Sequence, residues 1–104
     1  MAFNFRNILY NTYLFQTRSQ KPEEPLQQFI TDLTNLAKLC DFTQLEFERR
    51  VRDQIIVGIK DNNLRGALFT LNNPKLSEVL GFLKTNFSEN INNPTLVNNS
   101  LSGM

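Results

Sequence analysis

Histidine is absent from this sequence of 104 residues, and Cys40 is its one cysteine. Without histidine, the usual zinc and haem ligand sets cannot be assembled, and a serine or cysteine nucleophile lacks its common base. One cysteine cannot form a disulfide within the chain, which fits a reducing, cytoplasmic setting. We therefore expect no catalytic site, no metal site and no cofactor.

Neither sign of charge is in excess, since 11 lysines and arginines stand against 10 acidic residues. A protein that binds nucleic acid through phosphates needs a clear excess of basic residues. No apolar run is long enough to span a bilayer, and the first residues lack the basic-then-apolar order of a signal peptide. The length suits one domain with a single core. These features predict neither a membrane partner nor a small-molecule substrate.

The most informative stretch is QKPEEPLQQFITDLTNLAKL, residues 20–39, in which two prolines precede a helical pattern. Proline fixes φ near the helical value and lacks an N–H, so Pro25 suits the first turn of a helix that we expect to begin near Glu24. Apolar residues then recur every three or four positions, which is typical of a helix with one buried face. They are Leu26, Phe29, Ile30, Leu33, Leu36, Ala37 and Cys40.

A second helix is expected over residues 45–57. Thr43 and Glu46 have the spacing of a capping box at its start, and Gly58 marks its end. The positions expected to face the core are Val51, Ile55 and Ile59, and Phe42 is expected to fold back onto the same core.

Two further helices and a leading helix complete the pattern. The third covers residues 64–71, after a polar turn in which Asn62 and Asn63 tolerate the left-handed conformation. The fourth covers residues 75–88, and a short leading helix lies within residues 3–15, which are rich in aromatic side chains. The apolar stripe of the fourth helix comprises Leu76, Val79, Leu80, Leu83 and Phe87.

Two motifs carry a resemblance to a known family. Gln20, Glu24, Pro25 and Phe29 stand in the order of the major homology region of retroviral and retrotransposon Gag capsids. The run VRDQIIVGIKDNNLRGAL, residues 51–68, is similar to the corresponding run of gypsy-type retrotransposon Gag and of its domesticated relatives such as Arc. Residues 7–20 resemble the segment that leads into this domain, so the resemblance extends over residues 7–88.

The resemblance implies an all-α fold, a bundle of four core helices like the C-terminal lobe of a capsid protein. Residues 20–89 would form this domain, and residues 90–104, rich in asparagine and serine, a flexible tail. Residues 1–19 would be a leading helical segment. That segment is either the end of a preceding capsid lobe or a terminal helix that packs on this domain's own core.

The resemblance also implies roles for particular residues. In the family, the glutamine and glutamate of the turn, here Gln20 and Glu24, form hydrogen bonds that tie the entry segment to the helices. Lys21 replaces the usual glycine, and Asp32 stands where a basic residue is expected. The alternative is that Glu24 simply caps the helix.

A candidate dimer interface follows from the second helix. A helical wheel places Phe47, Arg50, Gln54 and Val57 on a face largely separate from the core face. The family's C-terminal lobes dimerise through this helix, and aromatic and arginine side chains favour interfaces. The alternative for Phe47 is that it turns into the core beside Phe42.

The predicted function is therefore not enzymatic. The chain would mediate dimerisation and assembly of capsid-like particles, with itself as partner, and nucleic acid would bind other segments of the full-length protein. The alternatives are a domesticated, Gag-derived adaptor for dimerisation or peptide docking and, less favoured, an RNA-binding module. The run from Glu48 to Arg52 carries three arginines, but the acidic residues beside it fit a salt-bridged helix surface.

Overall fold

The computed structural model describes residues 7–88 of the chain. They form five α-helices and one π-helical turn, and no strand occurs among them. The predicted all-α class is confirmed. The elements in chain order are α1 Ile8–Thr17, α2 Leu26–Lys38, α3 Gln44–Gly58, α4 Asn62–Phe69, α5 Leu76–Leu83 and the π-helical turn Lys84–Ser88.

Helix α2 forms the centre of the core. Its buried residues are Leu26, Phe29, Leu33 and Ala37, in the predicted three- and four-residue steps. Ile30 and Leu36 pack against them at the edge of the core, and Cys40 is buried just beyond the helix. The helix begins one residue after Pro25, which is the extended N-cap rather than a residue of the first turn.

Helix α3 packs against α2. Val51 and Ile55 are buried as predicted, and Ile59 is buried just past the end of the helix. The predicted capping box is present. Glu46 N–H donates to Thr43 Oγ1 over 3.1 Å, and Thr43 N–H donates to Glu46 Oε1 over 2.8 Å.

Helix α1 also lies on α2. Phe15 is buried in the common core and meets Phe42 edge to face, with ring centroids 5.6 Å apart. The buried side chain of Asn11 donates a hydrogen bond of 3.2 Å to the carbonyl of Leu39. Helix α1 thus contributes to the same core as α2 and α3. The aromatic residues Phe3 and Phe5 lie outside the described part of the chain.

Helix α4 begins two residues earlier than predicted, because Asp61 caps it. The Asp61 carboxylate accepts hydrogen bonds from the backbone N–H groups of Asn63 (2.9 Å) and Leu64 (3.2 Å). Asn62 and Asn63 are therefore helical and do not form the predicted left-handed turn. Within residues 7–88, the non-glycine residues with positive φ are Asp41 and Asn73.

The helix predicted over residues 75–88 is present as α5 and the π-helical turn that follows it, but Leu80 is not buried. The Asn86 side chain donates a hydrogen bond of 2.8 Å to the carbonyl of Phe82, the acceptor that an α-helix would offer to the Asn86 backbone. The α-helix ends at Leu83 and the π-helical turn follows. Val79 and Leu83 face the core, which leaves Leu80 at its edge with 37% exposure. The side chain of Phe87 and the tail predicted at residues 90–104 lie outside the described part.

None of the helices within residues 7–88 has both the length and the apolar character needed to cross a bilayer.

Candidate functional site

The turn between α1 and α2 is closed by the guanidinium group of Arg18. Its Nη1 lies 3.0 Å from Oε1 of Glu24, its Nη2 binds the other oxygen of that carboxylate, and Nη2 also lies 2.9 Å from Oδ2 of Asp32. The side chains of Arg18 and Glu24 are 12% and 8% exposed. The hydrogen bond from Arg18 lowers the pKa of Glu24, and the same bond raises the pKa of Arg18. The pair is therefore ionised at neutral pH.

Gln20 joins this turn to the end of α3. Its backbone N–H donates to the carbonyl of Gly58 over 2.9 Å. Its side-chain Nε2 donates to the carbonyl of Glu24 over 2.9 Å, and its Oε1 accepts from the backbone N–H of Lys60 over 3.1 Å. Gln20 thus bonds to the C-terminal end of α3, and Glu24 bonds to Arg18 just after α1.

Close packing at Gly58 completes the arrangement. A Cβ atom at Gly58 would lie 2.6 Å from Cζ of Phe29 and 3.2 Å from the carbonyl oxygen of Arg18. On another part of the same ring, the guanidinium of Arg18 lies 5.4 Å from the centroid of Phe29, within range of a cation–π contact. We call Arg18, Gln20, Glu24, Phe29 and Gly58 the turn cluster.

The four residues predicted for the dimer face occupy different surroundings. Val57 is 65% exposed, and Arg50 is also exposed. Phe47 is half-buried and packs against the core, and Gln54 donates a hydrogen bond of 3.0 Å to the carbonyl of Arg18. The outer part of the predicted face therefore consists of Arg50 and Val57, while Phe47 and Gln54 border the core.

Arg50 is held in place by its own contacts. Its guanidinium carbon lies 5.0 Å from the centroid of the Phe42 ring, and Nη2 lies 3.4 Å from Oε1 of Gln16. Phe42 in turn contacts Phe15 of α1. Arg50 thus covers a seam between α1 and α3, about two turns before the exposed Val57 on the same face of α3.

Sequence reasoning missed the structural roles of two arginines, Arg18 and Arg65. Arg65 donates hydrogen bonds to the carbonyls of Ile56 (3.0 Å), Val57 (3.4 Å) and Ile59, and so satisfies the C-terminal end of α3. The last turn of α3 contains no basic residue of its own. The absence of a basic residue from the last turn of α3 was the sequence signal for Arg65. The acidic Asp32, at a position where a basic residue was expected, was the signal for Arg18.

Within residues 7–88, no group of three or more acidic, cysteine or histidine side chains is placed to hold a metal ion. Burial raises the pKa of the Cys40 thiol, which donates a hydrogen bond of 3.3 Å to the carbonyl of Leu36. A thiol with a raised pKa is a poor nucleophile at neutral pH.

Comparisons with family models, with curated proteins and with solved structures found no match to this chain.

Proposed function

We propose that this chain is a non-enzymatic capsid-type module of a Gag-like protein, which self-associates in the cytoplasm to build capsid-like particles. The two sequence motifs that resemble Gag capsids support the proposal. In the fold they meet, because Gln20 of the first motif bonds to Gly58 and Lys60 of the second. This contact between the motifs is the observation that carries the proposal.

The contact also bears on assembly, because it fixes the helix that would form the interface. Gln20, Gln54 and Arg65 all bond near the C-terminal end of α3. A helix held in this way loses little further freedom when it meets a partner. Val57 and Arg50 are both exposed on its outward face, and an apolar side chain and an arginine on one face suit an interface.

The proposed contact is a two-fold one in which α3 packs against α3 of a second copy. A two-fold interface must be self-complementary, and one helix crossing its own copy meets that requirement. Arg50 and Val57 form its centre, with Phe47 and Gln54 at its border. Because the exposed apolar surface on this face is small, we expect a weak dimer that becomes strong only when many copies assemble.

Sedimentation of the whole chain over a range of concentrations tests this contact. We expect a monomer–dimer equilibrium in the micromolar to millimolar range, and Val57→Asp should weaken it at least about tenfold. The matched control is Leu9→Asp, which places the same charge on an exposed apolar position of α1, 82% exposed. A wild-type chain that stays monomeric at about 1 mM, or equal dimerisation of Val57→Asp, would reject α3 as the interface.

The second candidate is a domesticated adaptor that keeps the fold and uses it for dimerisation or peptide docking. A groove between α3 and α5 with Leu45, Leu76 and Leu80 in its wall is the observation that favours it. Imaging the longer parent protein for particles separates the two, since an adaptor forms none.

Direct RNA binding has less support, because the three arginines of the basic run do not share one surface. Arg50 lies over Phe42, while Arg52 binds Asp53 and the carbonyl of Pro74. Arg49 lies on the flank of α3 away from Arg50. Nucleic acid would then bind through other segments of the full-length protein.

A further inference from the structure

A groove of about 850 Å³ runs between the first half of α3 and the start of α5. Its apolar wall contains Leu45, Pro74, Leu76 and Leu80. Leu45 is 57% exposed and Leu80 is 37% exposed. At about 100° per residue, the α3 positions that line the groove lie on the flank opposite Arg50 and Val57. The groove is therefore separate from the proposed dimer face.

The rim of the groove is mostly basic. Arg49, Arg52 and Lys75 line it together with a single acidic residue, Glu48. The carboxylate of Glu48 accepts a hydrogen bond of 3.1 Å from the side chain of Gln44, outside the groove lining. The lining therefore combines leucine side chains with an excess of positive charge, although the whole chain is nearly neutral.

The three cations differ in how they are held. Arg52 is fixed, since its Nη1 lies 3.1 Å from the carbonyl of Pro74 and its Nε lies 2.8 Å from Oδ1 of Asp53. Neither Arg49 nor the Lys75 side chain has an ion pair or hydrogen bond to another residue of the range 7–88. Arg52 is thus part of the rigid rim of the groove, whereas Arg49 and Lys75 can form ion pairs with a ligand.

We propose that this groove binds an acidic amphipathic helix from a partner protein. Leucine-type side chains at i, i+3, i+4 and i+7 of that helix would cover Leu45 and Leu80, and flanking carboxylates would face Arg49 and Lys75. Apolar anchors set the affinity of such a contact, and the charges set its orientation and rate of association.

Charge complementarity disfavours two other occupants. The chain's own segment over residues 90–104 contains no acidic residue. A second copy could offer the exposed Leu9 and Tyr13 of α1, but that helix contains no acidic residue either. An acidic helix from another protein therefore fits the charge of the groove better than either of these two segments.

The probe is a fluorescein-labelled, helix-forming peptide of about 14 residues with leucines at the stated spacing and glutamates elsewhere. A matched peptide carries lysine in place of every glutamate. Fluorescence anisotropy with the whole chain should give a Kd in the micromolar range for the acidic peptide. The affinity should fall as salt rises from about 50 to about 300 mM. The basic peptide should bind at least about tenfold more weakly.

Variants of the groove locate the binding site. Arg49→Glu combined with Lys75→Glu should weaken the acidic peptide at least about tenfold. Leu45→Asp should also weaken it, and this variant should stay folded because an acidic residue is favourable in the first turn of α3. The control pair, Lys21→Glu with Lys38→Glu, reverses two exposed charges outside the groove and should leave the affinity within about twofold.

Three results would overturn the proposal. The first is no binding of the acidic peptide at about 1 mM chain. The second is equal binding by the groove variants and the control pair, with melting curves showing all of them folded. The third is tighter binding of a single-stranded RNA than of the peptide at the same salt, abolished by Arg49→Glu with Lys75→Glu. That result would assign the groove to nucleic acid.

Discussion

The two ends of α3 are stabilised in different ways. At the N-terminal end, Thr43 and Glu46 satisfy each other's backbone N–H groups within one turn of chain. At the C-terminal end, the bonds come from outside the helix: from Gln20, which precedes α2, and from Arg65 in the neighbouring helix α4. Local sequence therefore specifies where α3 begins, whereas tertiary structure specifies how it ends.

The difference matters because each end borders a different proposed surface. The locally capped end carries Leu45 and Arg49, which line the groove. The end held from outside the helix carries Val57, the exposed apolar residue of the proposed dimer face. Damage to the turn cluster should therefore affect dimerisation more than peptide binding, and damage to the capping box should do the reverse.

The largest effect is expected from Arg18→Ala. This change leaves Glu24 nearly buried without its cation, which should lower the free energy of unfolding by about 3 kcal/mol at pH 7. Urea denaturation measures it. Arg49→Ala, at an exposed position with no ion pair within residues 7–88, is the control and should change stability by less than about 0.5 kcal/mol.

The effect of Arg18→Ala should depend on pH in one direction. The pKa of Glu24 in the folded chain lies below the reference value of 4.5, so its contribution to stability is present above that value. The contribution is lost as the pH falls through the folded pKa. Wild type and Arg18→Ala should therefore converge in acid, and a constant difference from pH 7 to pH 3 would contradict an ionic role for Arg18.

Replacing a glycine with alanine should change stability by an intermediate amount. The sign of the change should differ between Gly58 and Gly66. Gly58→Ala pushes a Cβ against Phe29 and should destabilise the fold by about 2 kcal/mol. Gly66→Ala is the matched control, because nothing lies within 4 Å of a Cβ there and alanine favours a helix by up to about 1 kcal/mol. Thermal unfolding should show a lower Tm for the first and an unchanged or higher Tm for the second.

The smallest effect is expected from Thr43→Ala. Removing the N-cap side chain should destabilise α3 by about 1 kcal/mol, and Thr43→Ser should restore most of it. Hydrogen exchange should locate the loss in the first turn of α3, with the amides near Gly58 unaffected beyond the global change. If amide exchange became equally faster at both ends of α3, beyond the global change, the two ends would not be stabilised independently.

Periodicity and capping chemistry could be predicted from the sequence, because both depend on residues within one or two turns. The buried stripe of α2 and the capping box of α3 were found in this way. The role of Arg18 could not, because its partner Asp32 is 14 residues away and only the turn brings them together. The helical segment that ends at Ser88 was predicted, but its change to a π-helical turn after Leu83 was not, because the Asn86 side chain competes for the carbonyl of Phe82.

The proposed sites differ in how much of each could be predicted from the sequence. The order of residues in the first motif predicted a site at Gln20, Glu24, Pro25 and Phe29. Their contact partners could be identified only from the structure. The helical wheel separated Arg50 and Val57 from the core, but it could not show that Gln54 bonds to the carbonyl of Arg18, 36 residues away. The groove was not predicted, since its wall includes Leu80, which periodicity assigned to the core.

The bond between the Lys60 amide and the Gln20 side chain closes a loop of 40 residues. Closing such a loop costs conformational entropy, and local contacts within α2 or α3 do not offset that cost. We expect α2 and the first turns of α3 to form early in folding, and the C-terminal end of α3 to become fixed only after the turn cluster docks. On a ribosome, the proposed dimer face would then become ordered after residues 18–60 have emerged, which delays premature association between nascent chains.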